Sequence, residues 1–174
     1  MYNMSMITLY LDMDGVLANF DKKYRQLDPH KEDRVRFRDA VMTHRIFEDL
    51  EFMPDAQELL NHVSKLHDIN IEILTSMGTF ETARGQQAKI QKMAWLEKKN
   101  IPYRPNFVRT KTEKAQYATP HSILIDDSIG CITPFVEKGG HGILHKHASE
   151  SIRVLDSTIL QIRALEALRE GMYE

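Results

Sequence analysis

A short apolar segment that ends in two acidic residues constrains the fold of this chain more than any other feature. From Met6 to Leu11 nearly every residue is apolar, and Asp12, Asp14 and Gly15 follow directly. This pattern is typical of a buried parallel strand that carries carboxylates at its carboxyl end. In open α/β sheets, ligands bind at that edge. Gly15 provides the backbone freedom that a tight turn after the strand requires.

Two later apolar segments also end in polar side chains. The strand predicted over residues 69–76 ends in Thr75 and Ser76, and a further strand ends in Asp126 and Asp127. Helices alternate with these strands, which predicts an α/β fold with a three-layer, Rossmann-like arrangement around a parallel sheet. Neighbouring strands would bring four carboxylates to one edge. Such a group needs a compensating cation, and Mg²⁺ is the natural one.

The length of 174 residues fits one domain, 1–174, that buries roughly 70% of its unfolded surface. Residues 18–53 lie between the first strand and the next predicted helix. They are too charged for a core strand and too long for a loop, so we predict a small helical cap inserted beside the site. A plain surface insertion is the alternative.

Composition excludes several classes of protein. Apolar residues make up 42% of the chain and the net charge is −2, so no general attraction to nucleic acid or to a membrane surface is expected. No apolar run has the length of a membrane span. Cys131 is the only cysteine, which excludes an internal disulfide and predicts a cytoplasmic location. We expect Cys131 to be a small buried residue and not a nucleophile.

The longest internal helix is predicted from Thr79, as its cap, to about Lys99, and the strand after it is predicted to be short, at Phe107 and Val108. The expected buried residues of this helix are Ala83, Ile90, Ala94 and Leu96.

The acidic turn resembles a known motif. Asp12-Met13-Asp14-Gly15-Val16 is similar to the first motif of the haloacid dehalogenase (HAD) superfamily of phosphotransferases, and the resemblance extends from Leu9 to about Leu155. Within that superfamily, the chain looks most similar to the 5′(3′)-deoxyribonucleotidase group and its phage and bacterial relatives. The segments that carry this likeness are DGVLANFD, FMPDA, LTS and LIDD.

The resemblance implies a role for each residue at the strand ends. Asp12 would be the nucleophile that forms an aspartyl-phosphate. Asp14 would be the general acid and then the base, and its backbone carbonyl would join Asp12 as a Mg²⁺ ligand. Thr75 would donate to a phosphoryl oxygen with help from Ser76. The resemblance also implies that Asp127 binds the Mg²⁺ ion directly and that Asp126 lies next to that ligand. These two roles could be exchanged between the two residues.

The family also uses a lysine upstream of the last acidic strand. Lys114, at the start of a predicted helical turn, is the first choice for it, and Lys111 is the alternative. Aromatic residues of the cap hold the nucleobase in the family, which makes Phe20, Phe37 and Phe47 candidates for that role or for core packing. The chain departs from the nucleotidases by having Ser128 in place of an arginine, and by a shorter cap.

The expected function is a Mg²⁺-dependent phosphomonoesterase whose partner is a small phosphate monoester, most naturally a deoxynucleotide. The alternatives are a phosphatase for another small ester such as a sugar phosphate, a phosphatase for a nucleic-acid 3′-phosphate, and a non-catalytic binding module. Base preference and homodimer formation are left open.

Overall fold

The strand that carries the acidic turn lies at the centre of a five-stranded sheet. The structure, a computed structural model, describes residues 5–171, so the first four and last three residues of the predicted domain lie outside it. The strands are β1 (Ile7–Leu11), β2 (Ile69–Ser76), β3 (Arg104–Val108), β4 (Ser122–Asp126) and β5 (His141–Leu144). They are all parallel, in the order β3-β2-β1-β4-β5.

Helices pack on both faces of this sheet, which confirms the predicted three-layer α/β class. Leu9 and Leu11 of β1 face a large core shared with several helices, whereas Tyr10 faces a smaller core on the other side. This alternation follows from the two-residue period of a strand. The helices are α1 (Phe20–Tyr24), α2 (Asp33–Met42), α3 (Ala56–Val63), α4 (Ala83–Lys98), α5 (Ile129–Glu137) and α6 (Ala148–Gly171). None in the described part of the chain is long and apolar enough to cross a membrane.

The strand β3 is longer than predicted. We expected it only at Phe107 and Val108, because Pro102 and Pro105 interrupt the preceding sequence, but it begins at Arg104. Its position explains the difference. A strand at the edge of a sheet tolerates a proline because one side of its backbone needs no hydrogen-bond partner.

A helical segment follows β1, as predicted. It contains α1, α2 and a short 3₁₀ helix, Ile46–Asp49. Its two ends meet, because Ala18 and Phe52 form an antiparallel bridge and Met53 N donates to Leu17 O at 2.7 Å. Division of the chain into a core and a cap over residues 18–53 stays a prediction. We call these residues the insertion.

Side chains of α4 hold the insertion by its backbone. The Gln91 amide donates to Val41 O at 2.9 Å and accepts from Phe47 N at 3.4 Å. The Trp95 indole N–H donates to Leu50 O at 2.8 Å. Both of these α4 side chains are fully buried. The insertion is therefore fixed to the helix that follows β2, across more than forty residues of sequence.

The buried face of α4 differs from the predicted one. Ala83 and Ile90 are exposed, and Thr82, not Thr79, caps the helix by accepting from Gly85 N. Leu96 is buried as predicted, but the prediction was wrong for Ala83 and Ile90 because it followed apolar residues and passed over the two polar residues of the true face. That face is Ala88, Gln91, Lys92, Trp95 and Leu96, at the i, i+3, i+4, i+7, i+8 spacing of one helix side.

Candidate active site

Three adjacent strand ends bring the predicted residues together. Leu11, the last residue of β1, pairs with Ile73 of β2 and Ile125 of β4. The chain then leaves the strand, and Asp12 N donates to Ile125 O at 3.0 Å. The ends of β2 and β4 therefore lie on either side of the acidic turn, and Thr75 and Asp126 are both buried beside it.

Lys114 lies between two of the carboxylates. Its Nζ is 2.8 Å from Asp12 Oδ1 and 2.6 Å from Asp126 Oδ2, and the residue is 1% exposed. Burial lowers the pKa of Lys114, but Asp12 and Asp126 outweigh that effect and raise the pKa above its ordinary value. Lys114 is therefore the cation that accompanies Asp12.

Lys111, the alternative for that position, lies elsewhere. Its side chain is exposed, and its Nζ is 3.2 Å from Ser128 Oγ. The Lys111 ammonium therefore lies beside Ser128, the position at which the nucleotidases named above carry an arginine. The geometry therefore favours Lys114 over Lys111 as the lysine beside Asp12.

Three carboxylates could hold a metal ion. Asp12, Asp126 and Asp127 each offer an oxygen, and these atoms lie within 4.8 Å of one another. Burial, with contributions from Asp12 and Asp126, raises the pKa of Asp127 to about 6. Asp126 already binds Lys114 through Oδ2 and accepts from Ser128 N through Oδ1. Asp127 is thus the member of the group least occupied by other contacts.

The fourth carboxylate, Asp14, lines the same cavity but is not one of the three that could share an ion. Asp14 turns toward Lys92, whose Nζ is 2.7 Å from Asp14 Oδ2. The same Nζ donates to Thr75 Oγ1 and Ser76 O, both at 2.9 Å. Lys92 is 2% exposed. Burial raises the pKa of Asp14, whereas the Lys92 ammonium acts in the opposite direction.

Sequence reasoning missed Lys92. A lysine in a helix is ordinarily assigned to the solvent face, since buried lysines are rare without a partner. The sequence did contain one indication that Lys92 is buried. It lies one helical turn from Ala88 and from Trp95, on the side of α4 that packs inward.

The acidic turn touches Asp127 at a glycine. Gly15 has φ of +84°, and a Cβ at this position would be 2.0 Å from Asp127 Oδ2. The turn therefore needs glycine both for its left-handed backbone and for the space that Asp127 occupies.

We expect Gly15→Ala to weaken metal binding as well as stability. Left-handed backbone costs an alanine about 1–2 kcal/mol, and the added methyl group must also displace Asp127. Gly139→Ala is the matched control, since φ there is +94° and nothing lies within 4 Å of its Cβ position. Denaturant unfolding and calorimetric Mg²⁺ titration of both variants measure the two effects. Equal Mg²⁺ affinity in the two variants would contradict the contact with Asp127.

A cavity of about 820 Å³ opens over these groups. Its floor holds the carboxylates, Thr75, Ser76 and Lys92, and its wall in the insertion holds Phe20, Phe37 and Phe47. The Phe20 ring stacks on Phe47 with centroids 5.3 Å apart. The predicted aromatic residues and the predicted acidic residues therefore line one cavity.

Cys131 also lines the cavity but is a poor nucleophile. It is buried, as predicted, and burial raises the pKa of its thiol to about 12. The thiolate needed for reaction is therefore scarce at neutral pH.

Comparison with known proteins places the chain by its fold. No protein-family model and no curated protein matches it. A hydrolase from Streptococcus pneumoniae TIGR4 superimposes with a TM-score of 0.55 and 15% identity, over 88% of this chain and all of that one. An uncharacterized protein from Corynebacterium glutamicum ATCC 13032 Kitasato has 20% identity over 94% of this chain and 96% of that one, but its TM-score of 0.41 carries no argument. The first likeness shows a shared α/β fold.

Proposed function

We propose that the chain is a phosphomonoester hydrolase that acts through an aspartyl-phosphate and requires Mg²⁺. The observation that carries the proposal is the position of Asp12. Its Oδ1 is 2.8 Å from the buried ammonium of Lys114, and two further carboxylates, Asp126 and Asp127, lie beside it in the same cavity. The likeness in fold to a protein called a hydrolase agrees with this proposal.

The donor set fits Mg²⁺. Carboxylate oxygens are the ligands that this ion prefers, and it is commonly bound by one or two carboxylates together with a substrate phosphate. Burial, followed by the like charges of Asp12 and Asp126, raises the pKa of Asp127, and a bound cation would oppose that effect. We propose Asp12, Asp126, Asp127 and the backbone of Asp14 as the residues that would hold it. When bound, the ion would neutralise charge on the phosphoryl oxygens.

The residues then divide the reaction between them. An Asp12 oxygen bonds to phosphorus while the bond from phosphorus to the ester oxygen breaks, and Asp14 gives that oxygen a proton. In the second half, Asp14 takes a proton from water as the water oxygen attacks phosphorus, which releases phosphate and restores Asp12. Thr75 and Ser76, which line the same cavity, would donate to the phosphoryl group, and Lys114 would offset its charge.

For the substrate we propose a nucleoside monophosphate. The cavity extends well beyond the volume that a phosphate needs, and its lining includes the rings of Phe20 and Phe37, on which a base could stack. Phosphate release from a panel tests this. The panel holds 5′- and 3′-deoxynucleotides, ribonucleotides, sugar phosphates and a 3′-phosphorylated oligonucleotide. Preferred turnover of another ester in the panel would support the proposed reaction but contradict the proposal of a nucleotide substrate. No turnover of any ester would contradict the proposed hydrolase function.

We expect EDTA to abolish phosphate release and Mg²⁺ to restore it. Because protons compete with the ion for Asp127, the apparent Mg²⁺ affinity should fall as the pH falls below about 6, by about tenfold per unit. Activity measured against Mg²⁺ concentration at several pH values gives that affinity. In Asp127→Asn the affinity should be lower and its pH dependence weaker. Full activity in EDTA would exclude the proposed metal requirement.

A further inference from the structure

Lys92 has no bonding capacity left for a substrate. A lysine ammonium has three N–H donors, and here each has an acceptor: Asp14 Oδ2, Thr75 Oγ1 and Ser76 O. Its Nζ also lies 4.5 Å from the centroid of the Phe47 ring. The side chain comes from α4 and reaches beneath the carboxyl end of β2. Acceptors and ring together hold the ammonium in one place.

The Asp14 side chain, in contrast, accepts only this one hydrogen bond among the residues that the structure describes. Its Oδ2 accepts from Lys92, while Oδ1 is buried without a hydrogen-bond partner. Three other carboxylates lie near the same turn, and they offer oxygens to a metal ion without Asp14. Among the described residues, the hydrogen bond from Lys92 is therefore the polar interaction that orients the Asp14 carboxylate.

We propose that Lys92 is a positioning residue that holds Asp14 for proton transfer to the leaving group and keeps it out of the metal-binding group. The proposal rests on the proposed hydrolase function. It assigns Lys92 no contact with the substrate. Lys92 affects the reaction only by orienting Asp14, so its effect depends on whether the leaving group needs a proton.

The nature of the leaving group supplies the test. Benzyl phosphate releases an alkoxide that must be protonated, whereas para-nitrophenyl phosphate releases a stable phenolate that needs no acid. The two esters are similar in size, so we expect both to bind in the same cavity. The kcat/KM value reports the steps up to transfer of the phosphoryl group to Asp12, so it leaves out the later attack of water.

In Lys92→Met, which keeps the side-chain length and removes the ammonium, we expect kcat/KM for benzyl phosphate to fall about 100-fold. Lys92→Met also removes the hydrogen bond to Thr75, and any resulting loss affects both esters equally. Apart from that common loss, we expect kcat/KM for para-nitrophenyl phosphate to change by less than about 3-fold. Lys92→Arg, which keeps a cation, should recover part of the benzyl phosphate activity. Lys98→Met, at an exposed position of the same helix, is the control.

An equal loss for both esters, with no recovery in Lys92→Arg, would overturn the proposal and leave Lys92 a purely structural role. If Lys92→Met does not fold, Lys92→Gln is tested in its place, with circular dichroism to confirm the fold. A crystal structure of the folded variant supplies a readout without activity. The Asp14 carboxylate should have turned from its present position, and an unchanged carboxylate would overturn the proposal. If the wild-type protein hydrolyses neither ester, the proposed hydrolase function is contradicted. The crystal structure of the variant then tests by itself whether Lys92 positions Asp14.

Discussion

Asp12→Asn is expected to abolish phosphate release from every ester that the wild-type protein hydrolyses. The amide has nearly the size of the carboxylate but lacks the charge and lone-pair reactivity of a nucleophile. Loss of a nucleophile that acts together with its neighbours lowers kcat by about 10⁴-fold or more. Phosphate release from para-nitrophenyl phosphate measures this, because that ester makes no demand on a general acid.

The loss must be separated from a loss of structure. In Asp12→Asn, Lys114 keeps its second partner, since Asp126 Oδ2 lies 2.6 Å from its Nζ. We therefore expect the variant to fold. Asp28→Asn makes the same chemical change at an exposed turn and should retain full activity. Turnover in Asp12→Asn at more than a small fraction of the wild-type rate would mean that the reaction does not pass through an aspartyl-phosphate on this residue.

Lys114→Met is expected to cause the largest loss of stability. Removing one member of a buried ionic group leaves the others unpaired, which costs about 3–5 kcal/mol. Here two carboxylates, Asp12 and Asp126, would lose their common cation. Urea unfolding at neutral pH measures the free energy of unfolding, and phosphate release should fall together with it.

The same variant distinguishes electrostatics from packing. If Mg²⁺ binds these carboxylates as proposed, it should stabilise Lys114→Met more than it stabilises the wild-type protein, because the substitution leaves Asp12 and Asp126 unpaired. A loss of packing alone would not respond to the ion. Lys138→Met, at the exposed end of α5, should change the free energy of unfolding by less than about 0.5 kcal/mol. Equal free energies of unfolding for Lys114→Met and Lys138→Met would contradict the role of Lys114 as the cation shared by Asp12 and Asp126.

The sheet was predictable because its strands are nearly continuous apolar runs that end in polar residues. The boundaries of β2 are those predicted, and the acidic turn follows β1 where the sequence placed it. The same logic predicted that Asp12, Thr75 and Asp126 would lie together, because parallel strands end at one edge. The extent of β3 was not predictable from local rules, since Pro105 is acceptable only once the strand is known to lie at an edge.

The surroundings of Asp14 depend on packing that no local pattern reports. Lys92 lies 78 residues from Asp14 in sequence, and only the placement of α4 brings the two together. Its neighbour Gln91 is polar and fully buried for a similar reason, since its partners belong to the insertion. Helical periodicity can identify the inward face of α4 from Trp95 and Ala88, but it cannot tell which polar residues on that face have partners.

The hydrogen bonds that Gln91 and Trp95 of α4 make with the insertion all involve backbone atoms of the insertion. Gln91 binds Val41 O and Phe47 N, and Trp95 binds Leu50 O. They constrain the path of the chain and leave the identity of its side chains open. Phe20 and Phe37 take no part in these bonds, although they line the cavity. Substitution of Phe20 or Phe37 would therefore change the lining of the cavity and leave these backbone hydrogen bonds in place.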